Sequence, residues 1–552
     1  MRVGKNLTNG VLLLLVAYII VYPILWVFMG SVQNSQGQWT LENFGAIYNV
    51  YYLTIILRTL WYGACSVALS LVIAVPLAWV INRTDLGWKR TIRALVIVNF
   101  VMPPLFHALA FVFMFKPDAG FINNLFNSVF GIQPFDIYTF EGLVFATACG
   151  LYPLIFILVD ATLRNIDPSH EEAAAICGSS RWKTVRTVTF PLVMPSILSG
   201  VLLGLLEVFA TFGPPAIIGI PSKIYVMTTQ LYVDLSSSPP RIERGAALSV
   251  IFLAIAYLLV FIQQKALRNR SYVTIGGKGI RHRLLPLGGW RWPILAVIAL
   301  TIFISLLAPT LALVMVSFSK VWSAGFAPEN LTFSYYHDAL FLRSDIFSSF
   351  SNTVIVSLTT MFLAILLGGP IAWAVVKRGG PIANLLKLIT FLPLSVPGVV
   401  FTIGVILTFI QPPLVLYGTL SIIVVCYLGR FLPFAVQPLS DALRQVDMSL
   451  IEAARVMGSS AGHIVRKITL PLLKGSLISA ALLVFISCVR EIVSIALLYS
   501  PGNSTLMMTA MLLWDEGQVQ TTSALVVMIL LIVVVFYLIV HALPKNGLDR
   551  ER

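Results

Sequence analysis

The sequence predicts an all-α polytopic membrane protein, with about 12 transmembrane helices in two tandem, parallel six-helix repeats. The first observation behind this prediction is composition: 58% of the 552 residues are hydrophobic and 11% are charged, whereas soluble domains contain about 25% charged residues. The second observation is that the polar stretch 168–198 recurs at 448–478. An all-helical bundle follows, because backbone polar groups inside lipid must be satisfied within their own segment.

Apolar runs of the ~20 residues that a membrane helix needs occur along the whole chain. Each half contains six such runs, and six crossings return the chain to its starting side. The two repeats are therefore predicted to be parallel, related by a pseudo-twofold axis along the membrane normal. The predicted spans are approximately 11–32, 54–81, 94–115, 140–163, 190–213, 246–267, 292–318, 350–377, 385–410, 416–442, 472–498 and 522–543.

The predicted domain boundaries follow from these spans. The first repeat is 1–275, the second is 292–552, and a basic linker at 276–291 joins them. Gly276-Gly277-Lys278-Gly279 in this linker lacks the remaining residues of a phosphate-binding loop.

Basic residues border the spans on one side, which the positive-inside rule assigns to the cytoplasm. Both termini are predicted on that side. The net charge of +14 then reports membrane topology, so the expected surroundings are a lipid bilayer and not a nucleic acid.

Nine residues of the repeated stretch are identical at a spacing of 280 positions, without a gap, which indicates an internal duplication. The pairs are Glu172 and Glu452, Ala173 and Ala453, Ala174 and Ala454, Gly178 and Gly458, Ser179 and Ser459, Ser180 and Ser460, Arg186 and Arg466, Thr189 and Thr469, and Pro191 and Pro471.

The local pattern of the repeated stretch predicts a short exposed helix, a sharp turn and a second, basic helix. Ser169 with Glu172, and Ser449 with Glu452, have the spacing of a capping box at a helix start. The glycine two turns later is expected in the left-handed conformation that ends a helix. The serines after it are expected to cap the next helix.

The order Glu-Ala-Ala, three residues, Gly, nine residues, and then an aliphatic residue followed by x-Leu-Pro resembles the EAA loop of the permease subunits of binding-protein-dependent (type I) ABC importers. The second copy has this pattern throughout and ends at Ile468-Thr469-Leu470-Pro471. The first copy ends at Val188-Thr189-Phe190-Pro191, with phenylalanine in place of leucine. The resemblance implies the permease fold of this family, with both halves fused in one chain.

In that family the EAA loop is a coupling helix that fits a cleft on a cytoplasmic ATPase. The resemblance therefore implies two ABC ATPase subunits and an extracytoplasmic substrate-binding protein as partners. It implies that this chain binds no cofactor itself, that ATP and Mg lie on the ATPases, and that the chain is not an enzyme. The expected location is a bacterial-type cytoplasmic (inner) membrane. The implied coupling residues are Glu172, Ala173, Ala174, Gly178 and Pro191, with Glu452, Ala453, Ala454, Gly458 and Pro471.

The expected function is ATP-driven import of a small solute by alternating access. Fused double permeases of this length resemble those of ferric-iron importers, so ferric iron is the first expectation. Thiamine, polyamine, phosphonate and sugar-phosphate importers have related permeases and stay open as alternatives.

Ionisable residues inside predicted spans are candidates for a translocation path. Three such residues lie in the spans that follow the two repeated stretches: Glu207, Arg490 and Glu491. The alternative is a structural ion pair between Arg490 and Glu207. His107 is expected to be a packed, hydrogen-bonded residue, and no metal ligands are identified.

A self-contained secondary transporter is the rival from another class. Arg83-Thr84-Asp85-Leu86-Gly87 loosely resembles the basic loop of the major facilitator group. That group does not place EAA loops between spans four and five, so the importer interpretation is favoured. Motifs of hydrolases, metalloproteases and phosphate loops are absent from the sequence.

Overall fold

A computed structural model of the chain describes residues 2–34, 36–167, 169–268, 284–324 and 327–542. Regular structure within these residues is helical, with three isolated β-bridges beside it. Nine helices of the described part are long and apolar enough to cross a membrane, or up to 12 if each of three bent helix pairs is one span. The prediction of an all-α polytopic membrane protein is confirmed.

In the first half of the chain, long apolar helices alternate with shorter connecting ones. The helices of eight or more residues are α1 (Arg2–Ser31), α2 (Val50–Arg83), α3 (Lys89–Val101), α4 (Pro104–Phe115), α5 (Phe121–Phe130), α6 (Phe140–Asn165), α7 (Ser169–Ile176), α8 (Phe190–Ala210), α9 (Met227–Ser236) and α10 (Ile242–Arg268).

The second half follows the same alternation. Its main helices are α11 (Arg291–Ile302), α12 (Ala308–Phe318), α13 (Ser344–Trp373), α14 (Pro381–Phe391), α15 (Gly398–Phe409), α16 (Leu420–Gln445), α17 (Met448–Val456), α18 (Lys474–Val489), the short α19 (Val493–Leu498), α20 (Leu506–Asp515) and α21 (Val519–Ala542). A π-helical turn at Phe303–Leu307 joins α11 to α12.

Three of the predicted continuous spans are bent in the structure. The span predicted at 94–115 is α3 and α4, which meet at 99°, and the one at 385–410 is α14 and α15, which meet at 110°. Pro103 and Pro397 directly precede the second helix of each pair. Proline lacks an N–H and disfavours the helical conformation in the residue before it, so the helices break there. The span predicted from 472 is bent by 74° between Leu472 and Lys474.

The described helices form two compact units. The C-terminal unit contains Met1–Ile47, Leu231–Leu253 and Phe333–Arg552, and the N-terminal unit contains Tyr48–Gln230 and Ala254–Thr332. Each unit thus includes a spanning helix from the opposite half of the sequence. The tandem boundaries at 275 and 292 stay a prediction, and residues 269–283 of the linker region, with the Gly-Gly-Lys-Gly stretch, lie outside the described residues.

Both units are built in the same way. In the N-terminal unit α2, α6 and α8 pack against one another, and α12 packs on α4. In the C-terminal unit α13, α16 and α18 pack against one another, and α1 packs on α15. The two triads are equivalent in the repeat. Each consists of the span that contains Pro76 or Pro370, the span before the repeated stretch and the span after it.

The close packing of α1 on α15 depends on a glycine. A Cβ atom at Gly404 would overlap the carbonyl oxygen of Pro23 in α1. Small residues let membrane helices approach closely enough for dispersion contacts, which replace the hydrophobic effect inside lipid. At the other end of α1, Arg378 donates to the Asn9 side chain at 2.6 Å.

We expect Gly404→Ala to separate α1 from α15, because the backbone of Pro23 has no room to move away. Overpacking of this kind costs about 1–3 kcal/mol. Gly369→Ala in α13 is the matched control, since nothing lies within 4 Å of a Cβ there. Thermal unfolding of the purified chain in detergent should show a lowered midpoint for the first variant only. Equal midpoints would mean that α1 is not packed through Gly404.

Candidate functional site

The two repeated stretches begin with the same aspartate-capped helix. The Ser169 N–H donates to Asp167 Oδ1 at 2.9 Å before α7, and the Ser449 N–H donates to Asp447 Oδ1 at 2.9 Å before α17. The hydrogen bond from the Ser449 N–H lowers the pKa of the Asp447 carboxyl. The charged carboxylate also complements the positive end of the helix.

The capping box predicted from Ser-x-x-Glu is wrong. Helix α17 begins at Met448, with Asp447 as its N-cap, so Ser449 already lies inside the first turn. Its N–H is one of the orphan donors that the cap must satisfy. A sequence signal for the true cap existed, because Asp167 and Asp447 are also separated by 280 positions.

The predicted left-handed glycines are confirmed. Gly178 has φ +77° and Gly458 has φ +80°. In the second copy the Ser459 N–H donates to Ala454 O and the Gly458 N–H donates to Arg455 O, both at 3.0 Å, which is the Schellman arrangement of a helix end. The Ser179 N–H makes the equivalent bond to Ala174 O at 3.0 Å.

The serine caps of the following helices are also confirmed. Ser180 Oγ accepts from the Lys183 N–H at 3.4 Å, and Ser460 Oγ accepts from the His463 N–H at 3.3 Å. Each short helix then passes through a π-helical turn, at Val185–Thr189 and Val465–Thr469. Pro191 and Pro471 follow within the first two positions of the next helix, where a missing N–H costs little.

Each stretch ends its first helix in an exposed apolar tip. Ile176 is 86% exposed in the first copy, and Val456 and Met457 are 88% and 85% exposed in the second. Glu172 and Glu452 are also exposed, as are Ala173 and Ala453, whereas Ala174 is half-buried and Ala454 is buried. One such side chain in the first copy and two in the second make these helix ends candidate contacts for another protein. We call these two surfaces the coupling tips.

The first stretch is anchored by an ion pair. Arg83, at the end of α2, is 4% exposed and donates from Nε to Glu171 Oε1 at 2.9 Å. It also donates from Nη1 to Leu163 O at 3.0 Å, near the C-terminal end of α6. The Thr189 hydroxyl donates to the same carboxylate oxygen at 2.8 Å. Glu171 thus connects α7 to the end of α2 through Arg83 and to the turn before α8 through Thr189.

The second stretch uses apolar packing at the equivalent position. Ile451, which corresponds to Glu171, forms a buried cluster with Ala454 and Ile464, and Trp373 of α13 packs against it. Thr469, the counterpart of Thr189, is buried, and its hydroxyl has no partner among the described residues. The two coupling helices are therefore held by different interactions.

A second charge cluster beside the first stretch was missed by the sequence reasoning. Asp160, 3% exposed near the end of α6, accepts from Asn82 Nδ2 at 2.7 Å and from Arg93 Nε at 3.1 Å, and it also pairs with Arg164. A carboxylate inside a predicted span was the available signal, since such a group needs a partner.

The candidate path residues lie in different surroundings. Glu207 is an exposed residue of α8, one turn before Thr211, whose hydroxyl donates to Glu207 O at 2.8 Å. It lines a small pocket together with His107 and Thr147. Arg490 ends α18, and Glu491 lies in the break before α19. His107 hydrogen-bonds Asn99 at 2.8 Å, which confirms that it is a packed, hydrogen-bonded residue.

Glu491 has a partner that the sequence reasoning did not consider. Arg430 of α16 donates from Nη1 to Glu491 Oε1 at 2.5 Å and to Ser494 Oγ at 2.7 Å. The Ser494 N–H donates to the same carboxylate at 2.8 Å. The Arg430 and Glu491 side chains are 16% and 9% exposed, so the pair is largely buried. An arginine within the predicted span 416–442 was the missed signal.

The described residues contain no group of three or more His, Cys, Asp or Glu side chains that could hold a metal ion. The five cysteines are free thiols, and only Cys177 is fully exposed.

Residues 70–271 and 361–546 match the model of the binding-protein-dependent transport system inner membrane component family. The chain belongs to this family. Each matched segment contains one copy of the repeated stretch, so this inner membrane component is a fused ABC importer permease with two permease halves in one multi-pass chain.

Two curated relatives resemble this permease along most of its length. The ferric transport system permease protein FbpB of Actinobacillus pleuropneumoniae is 26% identical over 525 residues, which are 93% of this chain and 74% of that protein. The putative ferric transport system permease protein FbpB 1 of Haemophilus influenzae is 26% identical over 496 residues, 88% of this chain and 77% of that protein.

Among solved structures, a bacterial ABC transporter involved in the import of the acidic polysaccharide alginate matches the permease with a TM-score of 0.42 and 16% identity. The match covers 49% of this chain and 100% of that chain.

We expect the Arg430–Glu491 pair to show strong energetic coupling. Arg430→Met or Glu491→Met alone leaves a buried charge and should destabilise the permease by about 3–5 kcal/mol, whereas the double substitution should be far less harmful. Denaturant unfolding in micelles of the unaltered protein, the two single variants and the double variant gives the coupling energy of the pair.

The exposed pair Arg444–Asp441, at 3.7 Å with side chains 58% and 50% exposed, is the control for this cycle. Its coupling energy should be about 0.2–1 kcal/mol. Additive effects of the two substitutions at Arg430 and Glu491 would contradict the pairing.

Proposed function

We propose that this permease is the membrane-spanning translocation subunit of an ATP-driven ABC importer for ferric iron. The observation that carries the proposal is the pair of coupling tips: two exposed, capped helices of matching local geometry in one chain of this family. The FbpB relatives, whose names state ferric transport, support the choice of substrate.

The proposed partners are two cytoplasmic ABC ATPase subunits and one extracytoplasmic substrate-binding protein. Each coupling tip enters a cleft on one ATPase, and ATP with Mg is held by those subunits. Both termini of the permease face the cytoplasm, on the same side as the coupling tips. One copy of the chain is enough for a complete importer, because it carries both coupling helices.

In the proposed mechanism, closure of the ATPases moves the two coupling helices and reorients the spans that hold them. The short connections from α6 to α7 and from α16 to α17 are anchored by Arg83 on Leu163 O and by Lys377 on Val446 O, the latter at 2.7 Å. A force on the tip is therefore transmitted directly to the ends of α2 and α6, and of α13 and α16. Alternating access to a central site follows from rigid-body movement of the halves.

Glu207 is the carboxylate that we propose to face the translocated cation. It is an exposed residue on α8, the span that continues from the first coupling helix. Glu491 is proposed to act differently, because its carboxylate is engaged by Arg430 and the Ser494 N–H. It holds the break between α18 and α19 in place.

We expect Glu172→Lys and Glu452→Lys each to weaken attachment of the ATPase by about tenfold, which corresponds to ~1.4 kcal/mol. The exposed carboxylate on each coupling helix is replaced by a cation at the docking surface. Pull-down of the ATPase with the purified permease is the measurement. Glu42→Lys is the matched control, since Glu42 is also an exposed carboxylate on a short helix, Glu42–Ile47. Full attachment in the double variant would refute the coupling role.

We expect Glu207→Gln to reduce uptake of radioactive ferric iron by at least about tenfold in a strain that depends on this importer, because charge compensation for the cation is lost. ATPase attachment should stay unchanged. Glu141→Gln, at an exposed carboxylate in the first turn of α6, should leave uptake intact. If the unaltered protein takes up no iron but supports growth that depends on import of another solute, ferric iron is rejected as the substrate. The assignment to the ABC importer class would still hold.

A further inference from the structure

The N-terminal unit contains an apolar cleft of about 510 Å³ at the base of the first coupling stretch. Its walls are formed by Val75 and Trp79 of α2, Leu163 of α6, Trp182 and Phe190. Leu285 closes one side, and it is held there because its N–H donates to Arg83 O at 2.9 Å. The volume lies within the roughly 300–1,000 Å³ of ordinary small-molecule sites.

The internal repeat explains why this cleft exists. Trp373 is the counterpart of Trp79, and in the second copy it is covered by the cluster of Ile451, Ala454 and Ile464. In the first copy the residues equivalent to the two isoleucines are Glu171 and Thr184. Glu171 is turned to Arg83 and Thr189 by its hydrogen bonds. The apolar cover of the tryptophan is missing, and the space stays open.

The cleft contains one polar group that lacks a partner. The indole Nε1–H of Trp79 is buried and makes no hydrogen bond among the described residues. A buried donor without an acceptor costs free energy comparable to a lost hydrogen bond. A fitting ligand is therefore apolar along most of its length and offers one acceptor near Trp79.

The surroundings identify the class of that ligand. The walls belong to the membrane-span candidates Val50–Arg83, Phe140–Asn165 and Trp182–Ala210, so the medium outside the cleft is lipid. Trp79 lies one turn from the end of its span, the depth at which indole groups meet lipid headgroups. The exposed Lys183 and Arg186 are in the same segment as Trp182, and basic side chains at this depth attract anionic lipids.

We propose that this cleft binds one acyl chain of an anionic phospholipid. The chain fills the space between Trp79 and Phe190, a rotation of the indole ring turns its buried N–H to an ester carbonyl, and the phosphate lies beside Lys183 and Arg186. The lipid acts as the missing cover of the first coupling stretch. We assign this lipid to the cytoplasmic leaflet, and only that assignment rests on the orientation proposed above.

The test uses the full-length chain in nanodiscs of phosphatidylcholine with increasing amounts of phosphatidylglycerol whose acyl chains carry bromine, which quenches indole fluorescence on contact. The difference between the unaltered protein and Trp79→Phe isolates the signal of Trp79. That signal should be quenched with saturation at a low fraction of the brominated anionic lipid. With brominated phosphatidylcholine, the lipid fraction at half-maximal quenching should be at least about fivefold higher. A factor of five is the effect of one basic residue near an anionic lipid.

Two variants make the result decisive. Val75→Phe fills the cleft and should raise the half-saturating lipid fraction at least about tenfold. Trp373→Phe gives the matched signal of the covered tryptophan, which should not show saturable quenching. Equal, linear quenching of both tryptophans, or equal response to both lipids, would overturn the proposal.

Native mass spectrometry of the delipidated proteins gives a second readout that does not depend on Val75→Phe folding normally. The unaltered protein should keep one phospholipid that Trp79→Phe loses. Retention of an apolar small molecule, or of equal phospholipid in both proteins, would count against the site. These readouts use neither ATPase attachment nor uptake, so failure of the lipid site and failure of the importer function are distinguishable.

Discussion

The structure depends on one constraint: every backbone polar group inside the membrane must find its partner within the protein. The long helices satisfy it themselves except where a proline removes a donor. In α6 Pro153 has no N–H to give to the Cys149 carbonyl, and Asn99 Nδ2, near the end of α3, donates to Cys149 O at 3.1 Å instead. At the break between α3 and α4 the Met102 N–H donates to Asn99 O at 3.2 Å. Asn99 thus supports both a proline-containing span and the break beside it.

Much of the fold could be predicted from the sequence because its signals are strong and local. Apolar length gives the spans, and the duplicated stretch gives the coupling helices, the left-handed Gly178 and Gly458, and the serine caps. What could not be predicted depends on distant residues. The pairing of Arg430 with Glu491 joins positions about 60 residues apart. The bends after Pro103 and Pro397, in contrast, had a local signal in the prolines themselves, which the prediction of continuous spans did not use. The capping error was different in kind: Asp167 and Asp447 recur at the same spacing of 280 positions, and the Ser-x-x-Glu motif that begins two residues later predicted the wrong cap.

The two halves show how a duplicated site diverges without losing its geometry. Glu171 and Ile451 occupy equivalent positions, and each anchors a coupling helix of the same shape. One does so by hydrogen bonds to Arg83 and Thr189, the other by packing with Ala454 and Ile464. Each copy has one buried polar group without a partner among the described residues. In the second copy it is the Thr469 hydroxyl, and in the first it is the indole N–H of Trp79. A charged anchor and an apolar anchor thus coexist in a single subunit.

The packing of α1 on α15 has a consequence for biosynthesis. Pro23 meets Gly404, about 380 residues further along the chain, and a ribosome adding about 5–20 residues per second needs roughly 20–80 s to reach that point. During this interval the first helix waits in the bilayer without its neighbour. Only 28% of the membrane-spanning part of α1 is buried even in the finished unit, so most of its surface is suited to contact with hydrocarbon. The corresponding part of α6 is 67% buried. Helix α1 therefore tolerates a long period in the bilayer without its neighbour better than α6 would.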